Sequence, residues 1–173
     1  MNYASIKNCD VANGEGVRIS LFVSGCTHHC KNCFNAEAWD FNYGQLFDEA
    51  AQNTVLELLK PDYISGLTLL GGEPMEPANQ KALLPFIQKV KHLYPEKNIW
   101  CYSGYLFDQQ IMNEMTKKFD FTLALVQLFD VMVDGKYVDE LHDLSIRFRG
   151  SSNQRIIDVQ KSLKEQTVIL YEF

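Results

Sequence analysis

The chain has 173 residues, 46% hydrophobic and 22% charged, with a net charge of −6 from 22 acidic and 16 basic residues. This composition describes a single globular domain over residues 1–173, long enough to bury a substantial core, and the acidic balance argues against a general nucleic-acid binder. No apolar run approaches the roughly 18 residues of a membrane helix, so the expected setting is cytoplasmic, with no membrane partner and with reduced thiols.

In chain order, residues 3–16 are polar and end in the turn-rich Asp10-Val11-Ala12-Asn13-Gly14-Glu15-Gly16. The first strand expected is 17–24, an apolar run rich in β-branched residues. It delivers Ser24-Gly25-Cys26-Thr27-His28-His29-Cys30-Lys31-Asn32-Cys33-Phe34-Asn35, three thiols spaced C-x3-C-x2-C. Thiolate is the ligand of soft metals and of iron–sulfur clusters, and such short spacing draws the sulfurs towards one point. Three cysteines hold three irons of a cubane and leave the fourth iron open. The same triplet completed by His28, His29, Cys9 or Cys101 suits zinc, and spacing alone leaves both choices open. Disulfides are not expected, because five is an odd number of cysteines and the chain shows no signal peptide.

The irregular stretch 35–44 carries Trp39, Phe41 and Tyr43, read first as core and second as a cover over the metal. Apolar spacing predicts a helix over 47–59, stopped by Pro61, then a buried strand at 66–70 followed at once by Gly71-Gly72-Glu73-Pro74-Met75. A helix over about 78–93 follows, with Pro85 predicting an early start or a kink. Next come a strand at 99–102 ending in Ser103-Gly104-Tyr105, a helix at about 107–117, and a strand at 131–133 ending in Asp134-Gly135-Lys136-Tyr137. Residues 145–149 and 167–171 read as final strands, with a helix near 153–164 between them.

Strands alternating with helices across short glycine-bearing loops predict an α/β fold with a parallel sheet. Ligands of such folds gather at the carboxyl ends of the strands. The cysteine loop, Gly-Gly-Glu-Pro, Ser-Gly-Tyr and Asp-Gly-Lys all fall there. A full eight-unit barrel takes about 250 residues, so the expectation is a partial, open (β/α) barrel of about six units, with one side free for a macromolecular substrate.

Cys26-x3-Cys30-x2-Cys33 after the first strand, with Gly71-Gly72-Glu73-Pro74 after the second, resembles the radical S-adenosylmethionine superfamily. More narrowly, Asp10-x-x-Asn13-Gly14-x-Gly16-x-Arg18, Leu21-Phe22-Val23-Ser24-Gly25-Cys26, Val133-Asp134-Gly135-Lys136 and Arg149-Gly150-Ser151-Ser152-Asn153-Gln154-Arg155 are similar to the family that activates anaerobic (class III) ribonucleoside-triphosphate reductases. The resemblance spans about residues 5–160. Where the wider superfamily often has an aromatic residue before the third cysteine, this chain has Asn32, with Phe34 just after.

The resemblance implies a 4Fe–4S cluster on Cys26, Cys30 and Cys33, its open iron chelated by the amino and carboxylate groups of S-adenosylmethionine. It also implies an enzyme whose chemistry is carried by its cofactors and not by a catalytic side chain. The backbone from Asn32 through Cys33 to Phe34 is expected at the adenine, Gly71 and Gly72 carbonyls at the methionine ammonium, and Glu73 as its counter-charge or as a loop-shaping group. Ser103 is expected at the ribose, and Asp134 and Lys136 at the amino-acid end or ribose, Lys136 pairing with the carboxylate. Arg147, Arg149 and Arg155 with Asn153 form a local basic cluster, read as solvated surface or as a docking or ligand surface. His28 and His29 are expected not to be ligands, and Cys9 and Cys101 to be incidental thiols. The partners implied are the large, glycyl-radical subunit of the reductase and an electron donor such as flavodoxin or ferredoxin. The alternatives are an activase of another glycyl-radical enzyme such as pyruvate formate-lyase, a radical enzyme acting on a small molecule, or a structural zinc-binding interaction module.

Overall fold

Period-two alternation along the strands sorts the buried residues onto two faces of one sheet. The structure, a computed structural model, describes residues 1–173. Its strands are β1 (Asn2–Asp10), β2 (Val17–Val23), β3 (Gln45–Leu46), β4 (Ile64–Gly71), β5 (Asn98–Ser103), β6 (Val131–Asp134) and β7 (Arg155–Asp158). They form an open sheet in the order β3-β1-β2-β4-β5-β6-β7. On one face Ile19, Leu21, Leu67, Leu69, Ile99, Cys101, Met132 and Ile157 join the main core beneath the helices. On the other face Trp100, Val131, Val133 and Ile156 pack with Phe148 and Tyr171.

Strands β2, β4, β5 and β6 are parallel neighbours. Their carboxyl ends therefore lie side by side, with Val23 opposite Gly71 and Ser103 opposite Asp134. The mixed α/β class matches expectation, but four parallel strands replace the six units foreseen, because β1 and β7 pair antiparallel at the flanks.

Helix α1 (Glu49–Leu59) falls in the predicted span and is capped by Asp48, whose carboxylate accepts from Ala51 N at 2.9 Å. Helix α2 (Pro77–Leu93) runs unbroken through Pro85, which sits on the exposed side where the carbonyl it leaves free can meet water. The third predicted helix begins as a π-helix (Phe107–Met115) and ends as α3 (Thr116–Lys118). At its start Gln110 N and Ile111 N both donate to Leu106 O at 3.0 Å.

Four expectations fail. The polar lead-in is strand β1, whose apolar signal is thin because only Tyr3 and Ile6 of its residues pack against the core. Helix α4 (Asp120–Val126) fills a stretch read without one. The helix expected over 153–164 is strand β7 followed by α5 (Val159–Glu165), with Asp158 capping the helix through Lys161 N. Residues 145–149 form no strand, and 167–171 contribute only the single bridge Ile157–Leu170.

Gly71 shows how tightly the strand ends are joined. Its φ is +107°, and a Cβ there would lie 2.7 Å from Phe22 Cα, Val23 N and Val23 O of β2. Gly71→Ala is accordingly expected to cost about 2–4 kcal/mol of stability. Urea unfolding would show this as a lower midpoint at unchanged slope; an unshifted midpoint would mean that the two backbones are not held this close.

Candidate functional site

A cavity of about 740 Å³ opens at the carboxyl ends of the parallel strands and extends over the sheet face opposite the main core, past Leu70 and Tyr102 to Phe148. Cys26, Cys30 and Cys33 are all on its wall, and all three thiols are free. Cys26 is buried and Cys30 and Cys33 are half-buried. Burial pushes the Cys26 thiol up to about 11 and raises that of Cys30 as well, where the neighbouring Cys33 adds to the rise and Lys136 opposes it.

The loop carrying these thiols is held by backbone and by three buried polar side chains. Gly25 N donates to Ala38 O at 2.8 Å, Cys26 N to Trp39 O at 3.1 Å, and Glu73 N to Gly25 O at 2.8 Å. Glu73, 1% exposed, accepts from Gly104 N at 2.7 Å and from Met75 N at 2.8 Å, and its Oε2 lies 2.9 Å from His28 Nε2. Glu76, at the start of α2, accepts from Thr27 N at 2.9 Å and from the Thr27 hydroxyl at 2.5 Å. Asn79 donates to Ser24 O and to Glu73 O. Two carboxylates and an amide thus fasten the cysteine loop to the turn after β4, and the first also fastens the turn after β5.

Contrary to expectation, the short spacing does not bring the sulfurs to one point: no three His, Cys, Asp or Glu side chains converge as the ligands of a single metal ion. The fourth ligands a zinc site would draw on are also committed elsewhere. His28 is bonded to Glu73 and packs edge-on against Tyr105. His29 stacks on Trp39 at 4.6 Å, Cys101 is fully buried in the core, and Cys9 is exposed on β1. Three free thiols around one cavity, without a fourth protein donor, suit a cluster that takes each thiolate on a separate iron and keeps one iron open.

Among the other expected site residues, Asn32, Phe34, Gly71, Gly72, Glu73 and Ser103 line the same cavity. Phe34 is 83% exposed at its rim, and Asn32, at φ +55°, donates to Asp139 at 2.8 Å. Both glycines have a packing reason: a Cβ on Gly72 would lie 2.6 Å from Gly25 O. Two expected residues are not on the wall. Asp134 is fully buried on the helix side, where it accepts from Phe107 N at 2.7 Å and pairs with Arg155. Lys136 is exposed and outside the cavity lining, though close enough to act electrostatically on Cys30.

The expected basic cluster is likewise dispersed. Arg155 pairs with Asp134 and Asp108, Arg147 lies over the Phe173 ring, and Arg149 alone is on the cavity wall. The aromatics of 35–44 are not core, since Trp39 lines the cavity while Phe41 and Tyr43 are more than a third exposed. Glu76, Asn79, Tyr102 and Tyr137 were not singled out from the sequence; the only signal for Glu76 and Asn79 was their place in the first turn after Gly-Gly-Glu-Pro. Arg18, central to the lead-in motif, is buried, which lowers its pKa to about 10, and it binds Thr68, Glu15 O, Leu67 O and Asn98. It anchors the lead-in to the sheet.

A family described as "4Fe-4S single cluster domain" matches residues 12–157. Several relatives bear the name anaerobic ribonucleoside-triphosphate reductase-activating protein. That of Haemophilus influenzae is 45% identical over 158 residues, covering 90% of this chain and 97% of the relative. That of Enterobacteria phage T4 is 42% identical over 159 residues, covering 90% and 93%, and that of Escherichia coli K12 is 38% identical over 156 residues, covering 89% and 96%. With near-complete coverage on both sides and the cysteine loop inside the matched domain, this chain belongs to the family of anaerobic ribonucleoside-triphosphate reductase-activating proteins.

Proposed function

We propose that the protein is a radical S-adenosylmethionine enzyme that installs a glycyl radical on the large subunit of anaerobic ribonucleoside-triphosphate reductase. The observation that carries this reading is the set of three free thiols on one cavity wall, with every local candidate for a fourth ligand engaged elsewhere. Cys26, Cys30 and Cys33 hold the 4Fe–4S cluster. When bound, such a cluster would supply the one-electron reduction by which S-adenosylmethionine is cleaved to methionine and 5′-deoxyadenosine while a glycine of the reductase is left as a radical.

The chain's own residues position and enclose. The backbone of Asn32, Cys33 and Phe34 and the wall at Gly71, Gly72 and Ser103 receive the ligand, while Glu73 fixes the loops that bring them together. The open sheet acts as a partial barrel, and its uncovered side admits a loop of the reductase. A cytoplasmic flavodoxin or ferredoxin is the electron donor of this reading.

No helix is long and apolar enough to cross a membrane. Anaerobic reconstitution with iron and sulfide is expected to give a brown, oxygen-sensitive protein that, once reduced, converts S-adenosylmethionine to 5′-deoxyadenosine and methionine. A fully loaded, reduced cluster with no cleavage would overturn the reading, and a colourless, air-stable zinc protein would replace it.

A further inference from the structure

Glu76 is a buried carboxylate without a cation. It is 5% exposed, yet none of the protein's ion pairs includes it. Its hydrogen bonds come from neutral donors alone: Thr27 N at 2.9 Å, the Thr27 hydroxyl at 2.5 Å and the Tyr105 hydroxyl at 3.4 Å, all to Oε1. Glu114 and Lys118 share a hollow with it, but both are exposed and neither bonds it. Glu73, by contrast, has the His28 ring at 2.9 Å. Carrying an unpaired charge into the interior is costly. Here the N-terminus of α2, where Glu76 is the N-cap, favours it. An amide of the same shape would accept the Thr27 N–H without that cost, so fastening the loop does not by itself call for a charge.

What the charge can reach is the cysteine loop. Thr27 N is bonded to the carbonyl carbon of Cys26, so ordinary bond lengths put Glu76 Oε1 within about 9 Å of Cys26 Sγ. Burial raises the Cys26 thiol, and the charges of Glu73 and Glu76 add to the rise. A charge that opposes a thiolate opposes any further negative charge at that sulfur, and local charge is one of the levers that set the potential of an iron–sulfur cluster. We propose that Glu76 is a tuning residue: its buried charge lowers the reduction potential of the cluster held by Cys26, making the site a stronger one-electron donor, as reduction of a sulfonium demands. The inference rests on the proposed function for the presence of the cluster.

The test is an anaerobic potentiometric titration of the reconstituted protein, without S-adenosylmethionine, followed by electron paramagnetic resonance. Glu76→Gln keeps the shape and an oxygen for Thr27 but loses the charge. It is expected to shift the reduction equilibrium about tenfold towards the reduced form, a rise of roughly 59 mV for a one-electron couple. Glu76→Asp should stay closer to wild type, and Glu57→Gln, at an exposed position on α1, should not move the potential. The shift should persist at high salt, which screens surface charges far more than buried ones. A loaded Glu76→Gln protein with the wild-type potential would overturn the inference whatever its stability, since a merely structural tie moves stability and not potential. If Glu76→Gln takes up no cluster, Glu76→Met, of similar volume, reads the same quantity; failure of both to load would make Glu76 structural and overturn the inference too. If the wild-type protein takes up no 4Fe–4S cluster, the functional reading falls and the inference with it, an outcome distinct from the others.

Discussion

A Cys30→Ala protein, reconstituted anaerobically with iron and sulfide, is expected to lose the visible absorption of a 4Fe–4S cluster and all formation of 5′-deoxyadenosine. Its fold should remain, because Cys30 is half-buried in a loop with no regular structure, and such a change typically costs within about 1 kcal/mol. Nothing nearby replaces the lost ligand. His28 is fixed by Glu73 and Tyr105, His29 lies on Trp39, and Cys101 is inside the core. Cys9→Ala is the matched control, expected to leave both iron content and activity at the wild-type level, since Cys9 is exposed on β1. A Cys30→Ala protein with full iron loading and full cleavage would refute the ligand assignment.

Glu73→Ala is expected to unfasten the whole site. It would strand Gly104 N, Met75 N and the His28 ring in a place where Glu73 is only 1% exposed. Leaving a buried donor unpaired costs about 1–3 kcal/mol, so three together amount to about 3 kcal/mol or more, a large share of the roughly 5–15 kcal/mol that stabilises a domain. Guanidinium unfolding would register the loss, and iron content would fall with it as the cysteine loop loses its tie to the turns after β4 and β5. Glu73→Gln separates two roles. It keeps the shape and one acceptor oxygen, so a fastening role predicts partial recovery of stability and iron. A protein as stable as wild type that nonetheless fails to bind S-adenosylmethionine would instead make Glu73 the counter-charge of the ligand's ammonium.

The cysteine loop and the four strand ends were legible in the sequence because each is a local signal: a thiol spacing, or glycines directly after an apolar run. Parallel pairing then sets them side by side, as Val23–Gly71 and Ser103–Asp134 show. What local signals did not carry was the face. Along β6 Met132 points to the helices and Val131 and Val133 to the other side, so alternation sends Asp134 to the helix side, to Phe107 N and Arg155. Reading period two through to the strand end would have placed Asp134 on the helix side. Strand β1 stayed hidden because its exposed residues are polar, and β7 because Arg155-Ile156-Ile157-Asp158 is too short to outweigh the helical pattern after it. Arg149 was visible only as one of three arginines; long-range packing, not spacing, separates it from Arg147 and Arg155.

The central claim is that the three thiols serve radical transfer to a protein. Its most direct measurement is electron paramagnetic resonance of the reconstituted, reduced protein mixed anaerobically with S-adenosylmethionine and the large subunit of an anaerobic ribonucleoside-triphosphate reductase. The account predicts a glycyl-radical signal on the reductase that requires S-adenosylmethionine and is absent with Cys30→Ala. Abundant 5′-deoxyadenosine without a glycyl radical on that subunit would contradict it.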